Sequence, residues 1–242
     1  MSCVICGDAA TVEAHIIPRA IYRRLAGPDQ HAVQGSLFKN GTRFQAKGVF
    51  DRHLLCRAHE NMLATADDYG LKFLHRFETG GRLAVRDNVW LVPNPKPELL
   101  VRFVAACIWR RGVSPVGREQ ADLDLGGAEP RLRAMLFAGE TRYEPTLMVV
   151  RRTYMSQGEH LREIMWEPCK RFGFGDNTWS FVVLGCEFMM KLNPYSHPPF
   201  PALFVANGKQ EVWAMNMDPE ELINVPGAID IAVNMLRGRD EA

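Results

Sequence analysis

Cys3 and Cys6 stand with two residues between them in CVIC, and Cys56 and His59 stand at the same spacing in CRAH. Two thiolates so placed reach one tetrahedral zinc from a tight turn, and Gly7 frees the backbone where that turn closes. Cys56 and His59 offer the matching sulfur and imidazole, from a strand end and the first turn of a helix. The half-sites are 49 residues apart, far more than in a simple zinc finger, so a separate excursion is looped out and the metal clamps its two ends. The other reading is a reactive or disulfide-bonded CxxC beside an unrelated Cys56. A reducing compartment and the paired spacing weigh against it. A zinc closed by four protein ligands is structural and does no chemistry itself, so any chemistry must come from other residues.

Those residues lie between and just after the half-sites. EAHIIPR places His15 at a strand end nine residues after Cys6, with Arg19 four further on. DRHLLC places Asp51 five residues before Cys56, and CRAHENML places Glu60 directly after His59, with Asp67 seven beyond it. Seven residues are about two helical turns, so Glu60 and Asp67 share a face. On a strand Glu13 points with His15 and away from Ala14. Plainer readings stand beside these. His15 can be a structural hydrogen-bonding group. Glu60 and Asp67 can be the solvated face of an amphipathic helix, where Glu60 also suits the helix dipole. His53 alternates with Asp51 and reads more readily as a surface residue. Arg19, Arg23 and Arg24 make a local basic cluster.

Together, CVIC, EAHIIPR, DRHLLC and CRAHENML resemble the HNH (ββα-metal) nucleases that carry a zinc staple, over roughly residues 1–70. The likeness is strongest to bacterial proteins with a HIIP-type motif, whose later helix carries a Trp-Arg pair like ACIWRR here. The resemblance implies a metal-dependent endonuclease that hydrolyses phosphodiester bonds, of DNA more than of RNA, in defence against phage or mobile elements. It makes His15 the general base that activates water. Asp51 takes the position of an Asn that orients the histidine, and Glu60 a metal-binding position. Glu60, Asp67 and Glu13 would hold a catalytic Mg2+ or Mn2+, separate from the structural Zn2+ on Cys3, Cys6, Cys56 and His59. Arg19 and Arg23 would meet phosphate. The chain departs from the family at Ala14, where an acidic or histidine metal ligand commonly precedes the base. The competing expectation is therefore a catalytically inactive zinc-stapled module that binds nucleic acid or protein. A third is that this module only supports a C-terminal domain that carries the function.

The elements that must position these residues follow from periodicity and turn signals. Pro18 opens a short helix with Ile21, Tyr22 and Leu25 inward. Residues 27–50 read as a loop or loose hairpin. HLLC is a strand end, followed by a helix over Arg57–Phe77 with Leu63, Ala66, Gly70, Leu74 and Phe77 on one face; Gly80 and Gly81 stop it. VWLV is strand-like, and PNPKP is a linker or turn. Pro97 opens a helix with Leu99, Leu100, Phe103, Val104, Cys107 and Ile108 apolar, ended by Gly112, and Trp109-Arg110-Arg111 suit its C-terminal dipole. PRLRAMLFAG is a second short helix over 130–139. LMVV, WSFVVLGCEF, ALFVANG and EVWAM are strands, with Asn207-Gly208 a hairpin turn. GFGDN reads as a turn, and a last helix is predicted over 226–237. Trp166, Phe172, Phe174, Trp179 and Phe181 read as core, as do Cys107 and Cys186; Cys169 has no assignment. The fold class is α+β: a zinc-stapled ββα-metal module over residues 1–80, then an α+β domain of unknown role over 81–242 with one antiparallel sheet and helices on a face.

Composition sets outer bounds. The chain has 242 residues, 47% hydrophobic and 24% charged, which suffices for a packed core. The absence of a leader-like N-terminus and of a long apolar run predicts a cytoplasmic protein with no membrane partner. A net charge of +1 does not announce a nucleic-acid binder and weighs against strong non-specific binding, so phosphate contact would rest on local clusters such as Arg19, Arg23 and Arg24. A homo-oligomer is compatible with the sequence.

Overall fold

The computed structural model describes residues 2–26, 32–35, 42–45, 48–78, 83–86, 89–93, 95–118, 124–140, 145–152, 155–156, 159–160, 164–170, 177–192, 206 and 211–217. The protein is α+β, and antiparallel strand pairing dominates. No helix among the described residues is long and apolar enough to cross a membrane.

β1 (Thr11–His15) pairs antiparallel with β4 (Phe50–Cys56), Thr11 opposite Cys56 and His15 opposite Phe50. β4 runs directly into α2 (Arg57–Glu78), which buries Leu63, Ala66, Gly70, Phe73, Leu74 and Phe77, the three-and-four spacing expected of one helical face. Between the strands, α1 (Arg19–Leu25) turns Ile21, Tyr22 and Leu25 inward. The Tyr22 hydroxyl accepts a hydrogen bond from the Val49 N–H at 3.3 Å. Gly48 beside it has φ +78°, and a Cβ there would fall 2.3 Å from the Tyr22 ring, so the approach to β4 needs glycine twice over.

Burial, followed by the nearby negative Glu167, holds the Tyr22 hydroxyl well above its ordinary value. A raised folded value means the unfolded chain loses this proton first. The contribution to stability is complete below pH about 10 and declines as pH rises towards the folded value, by about 1.4 kcal/mol per pH unit. Tyr22→Phe should therefore flatten the alkaline limb of a stability-versus-pH curve from chemical denaturation. An unchanged slope above pH 10 would contradict the assignment.

A nine-stranded sheet forms the other layer, in the order β3-β2-β10-β11-β12-β7-β13-β6-β5. It is built from β2 (Ala32–Gly35), β3 (Thr42–Gln45), β5 (Leu83–Arg86), β6 (Val89–Pro93), β7 (Thr146–Arg152), β10 (Ile164–Lys170), β11 (Thr178–Val183), β12 (Cys186–Lys191) and β13 (Glu211–Met217). β8 (Met155–Ser156) and β9 (Glu159–His160) pair separately. The sheet is not wholly antiparallel, because β2 lies parallel to β10 and β13 parallel to β7. The β2–β3 hairpin comes from the excursion between the two Cys-containing half-sites, yet it pairs with a strand from the C-terminal part. One continuous apolar core likewise runs from Cys3 through Ile21, Leu63 and Phe103 to Val212.

α3 (Pro97–Val113) is the shared element. It is buried almost all round, from Leu100 to Gly112, as a helix between two layers must be. Phe103 meets Phe181 and Phe188 of the sheet edge-on, with centroids 6.0 and 5.7 Å away. On its other side α2 comes so close that a Cβ at Gly70 would lie 2.5 Å from the Phe103 ring. Gly70→Ala gains about 1 kcal/mol of helix propensity but overpacks a ring that cannot move, at about 1–3 kcal/mol or more. We expect a net loss, read as a lower urea midpoint; a stabilised variant would contradict this packing.

Three elements differ from their sequence reading. Gly112 does not end α3 but lies inside it, where its missing side chain admits Leu125; a Cβ would fall 2.4 Å from Leu125 Cγ. WSFVVLGCEF is two strands joined by Leu184-Gly185, with φ 50° and 72°, the two left-handed positions of a tight hairpin turn. The helix expected over 130–139 is α5 (Glu129–Arg133) followed by a π-helical turn Ala134–Ala138 and left-handed Gly139. A short α4 (Pro115–Arg118) follows α3. The helix over 226–237, the Asn207-Gly208 turn, Gly80, Gly81, Phe172 and Phe174 lie outside the described residues. Trp166, Trp179, Phe181, Cys107 and Cys186 are core, and Cys169 is buried in β10 with its thiol towards the Ser180 carbonyl.

Candidate metal centre and the carboxylates around it

The N-terminal turn is held by short backbone bonds, Cys3 N–H to Asp8 O at 2.7 Å and Gly7 N–H to Cys3 O at 2.8 Å, with Gly7 at φ +76°. The Val4 N–H donates to Leu54 O at 3.1 Å, fixing the turn against β4. This brings Cys3 and Cys6 to the β4–α2 junction. The ligand atoms of Cys3, Cys6, Cys56 and His59 all lie within 4.8 Å of one another and could hold a metal ion. Cys6 Sγ is 3.9 Å from Cys56 Sγ, and His59 Nδ1 is 3.2 Å from Cys56 Sγ and 3.7 Å from Cys3 Sγ. The edge of Phe137 packs against the His59 ring at 5.7 Å. Burial raises the Cys3 thiol, but N–H groups of Cys6, Cys56 and Ile5 outweigh it and hold the group below its ordinary value. At Cys6 the Asp8 N–H lowers the thiol, yet desolvation and the crowding sulfurs of Cys3 and Cys56 leave it raised. Sulfurs that crowd one another in this way are relieved by a shared cation.

Of the four candidate carboxylates, Glu60 and Asp67 meet Arg110 in the last turn of α3, Asp51 meets Ser114 just past its end, and Glu13 is not among them. Arg110, 0% exposed, donates from both terminal nitrogens to Asp67, at 3.2 and 2.7 Å, and reaches Glu60 Oε1 at 3.4 Å. One turn on, the Ser114 hydroxyl donates to Asp51 Oδ2 at 2.7 Å, while Asp51 Oδ1 accepts from the His53 N–H at 2.7 Å. Burial, opposed by Arg110 and reinforced by Asp67, leaves the Glu60 carboxyl raised. Burial disfavours the Arg110 charge, but Asp67 and Glu60 outweigh it and keep the guanidinium charged. Glu60 Oε2 and Arg110 Nε are buried with no hydrogen-bond partner, so even this cluster is not fully satisfied.

The remaining candidates lie elsewhere. Asp51 pairs across the strands with Ala14, whereas His15 pairs with Phe50. Cross-strand partners share a sheet face and neighbours alternate, so His15 and Asp51 are on opposite faces. His15 packs its ring on Phe50 with centroids 5.4 Å apart. Glu13 faces Arg52 at 3.2 Å on the exposed surface, and not the Glu60–Asp67 pair. Arg19 and Arg23 are exposed on α1, whereas Arg24 is tied to Glu78 at 2.8 Å and to His75. The sequence reading missed the role of the α3 end. Arg111 pairs with Glu167 of β10 at 2.6 Å, and Trp109 Nε1 donates to Glu129 at 3.1 Å. Cations at a helix terminus read as dipole partners, and only their burial shows that each of them holds a different neighbour.

Comparisons with family models, with curated proteins and with solved structures found no match.

Proposed function

We propose that the N-terminal unit is a zinc-stapled module of HNH-like plan that binds nucleic acid and does not cleave it. Zinc suits the donor set of three sulfurs and one imidazole. A tetrahedral zinc with Zn–S of about 2.3 Å and Zn–N of about 2.05 Å sets S–S edges of about 3.8 Å and S–N edges of about 3.6 Å, against 3.9 Å for Cys6–Cys56 and 3.7 and 3.2 Å for His59 to Cys3 and Cys56, with all four ligand atoms within 4.8 Å of one another. The observation that carries the non-cleaving reading is the seating of Arg110 on Asp67 and Glu60. A guanidinium stands where the carboxylates would need a divalent cation, and Ala14 supplies no replacement. Arg19 and Arg23, one turn apart on the exposed side of α1, are the phosphate contacts of this reading.

A second reading has its own support. It follows the resemblance: β1, β4 and α2 come in that order, with His15 closing β1 and Glu60 in the first helical turn, and an HNH endonuclease on this plan would use His15 as base and Mg2+ or Mn2+ as cofactor, against which stand Asp51 on the opposite strand face and Glu60 held by Arg110. One assay separates the two. Purified protein is incubated with plasmid and single-stranded DNA in Mg2+, Mn2+ or Ni2+, beside His15→Ala and Arg19→Ala/Arg23→Ala variants. Salt-sensitive binding without cleavage, weakened several-fold in the double arginine variant, supports the module. Cleavage abolished by His15→Ala overturns it in favour of the nuclease.

A further inference from the structure

The metal cluster is unevenly covered. Cys3 and Cys56 are buried, at 2% and 3% exposure, whereas Cys6 is exposed. Its Sγ lies 3.9 Å from Cys56 Sγ, across the gap between the half-sites. Cys107, Cys169 and Cys186 are all buried in the core. Of the six cysteines, Cys6 is therefore the one exposed residue, and its sulfur has that of Cys56 within a short movement of it. We propose that Cys6 is a peroxide-reactive site with Cys56 as its resolving thiol, so that oxidation ejects the metal and leaves a disulfide in its place. This rests on the zinc reading above.

The Cys6 thiolate sulfur attacks hydrogen peroxide; the O–O bond breaks, hydroxide leaves, and Cys6 becomes a sulfenic acid. The Cys56 thiolate attacks that sulfur, forming the S–S bond and expelling a second hydroxide. Two thiolates have given up two electrons and peroxide has taken them. Only Cys3 and His59 would then remain to hold a zinc, too few to retain it, so a bound ion would be released to water. Closing from 3.9 Å to a bond of about 2.05 Å needs a shift of about 2 Å, which the solvent-facing turn at Cys6 can supply. The new bond joins the same two chain ends that the metal clamped, so oxidation exchanges one staple for another where chelation simply opens the site.

The test uses the full chain, its zinc content first measured by elemental analysis; a metal-free preparation that will not take up zinc sinks the site itself as well as this step. Zinc-loaded protein is titrated with hydrogen peroxide, zinc release is followed with a chromophoric chelator, and disulfides are mapped by mass spectrometry. One zinc should leave for every two thiols lost, with a Cys6–Cys56 disulfide and with Cys107, Cys169 and Cys186 unmodified. The oxidised protein should melt above the reduced, chelated protein. Cys6→His keeps a ligand but removes the exposed sulfur, and should hold its zinc at least ten-fold longer in peroxide. Overturning results are a Cys3–Cys6 disulfide as the main product, zinc retained by the oxidised wild type, or equal release from Cys6→His.

Discussion

Stripping zinc from the reduced protein with an excess of a strong chelator is expected to unfold its N-terminal unit and to lower the stability of the whole chain by several kcal/mol. Cys3, Cys6, Cys56 and His59, which could hold a metal, join a turn at residues 3–6 to the β4–α2 junction at 56–59; on the zinc reading the metal is the main tie there, beside one backbone bond to Leu54, the buried Cys3 and Ile5 packed on the core. A metal bound only by the folded state stabilises by RT ln(1 + [L]/Kd), about 8 kcal/mol when free zinc stands a million-fold above Kd. That is as large as the entire stability of an ordinary domain, about 5–15 kcal/mol. Because the apolar core is continuous from Cys3 to Val212, the loss should not stay local. Melting followed by circular dichroism should show one transition moving down by tens of degrees and recovering on zinc addition. Cys56→Ser should copy the chelated state, whereas Cys186→Ser, a core cysteine of β12, should keep full zinc binding. A chelated protein that melts with the holoprotein would show that the cluster holds no structural metal.

What the sequence discloses and what it hides divide along range. The Cys3-Cys6 and Cys56-His59 pairs are legible because metal geometry dictates residue type and spacing within each half-site, and the two halves then have only each other to complete a tetrahedron. The buried face of α2 is legible for the same short-range reason, since period alone selects Leu63, Ala66, Gly70 and Phe77. The parallel pairing of β2 with β10 is hidden, because neither strand carries a mark of a partner so far along the chain. The Leu184-Gly185 hairpin is hidden because a leucine at φ 50° violates the turn preference that would reveal it. Arg110 is the most instructive case. It lies 43 residues from Asp67 and 50 from Glu60, and nothing local separates a buried guanidinium from a solvated one. The same contact decides how the candidate site reads, because carboxylates that look available to a divalent metal in the sequence are held by an internal cation in the fold.

Arg110 accordingly supports the second large expected effect. Replacing it with methionine keeps much of the buried stem but removes the charge from a position that is 0% exposed. Asp67 and Glu60, with side chains 15% and 26% exposed, are then left as adjacent, partly buried carboxylates with no cation between them. Breaking such a cluster from one side costs about 3–5 kcal/mol, whereas replacing all its charges together is often neutral. Arg110→Met and Asp67→Asn should each be strongly destabilising. The combination Arg110→Met with Asp67→Asn and Glu60→Gln should recover most of the loss, because no buried charge is then left alone. Urea denaturation of the singles and the combination forms a cycle whose coupling should exceed about 1 kcal/mol. Additive losses would mean that the three groups do not act as one unit. The metal offers a second readout. If the carboxylates serve only to seat α3 against α2, a folded Arg110→Met variant should bind no more Mn2+ than wild type. One additional Mn2+ per chain, lost again on adding Asp67→Asn, would show instead that Arg110 occupies a cation position that a divalent metal can take.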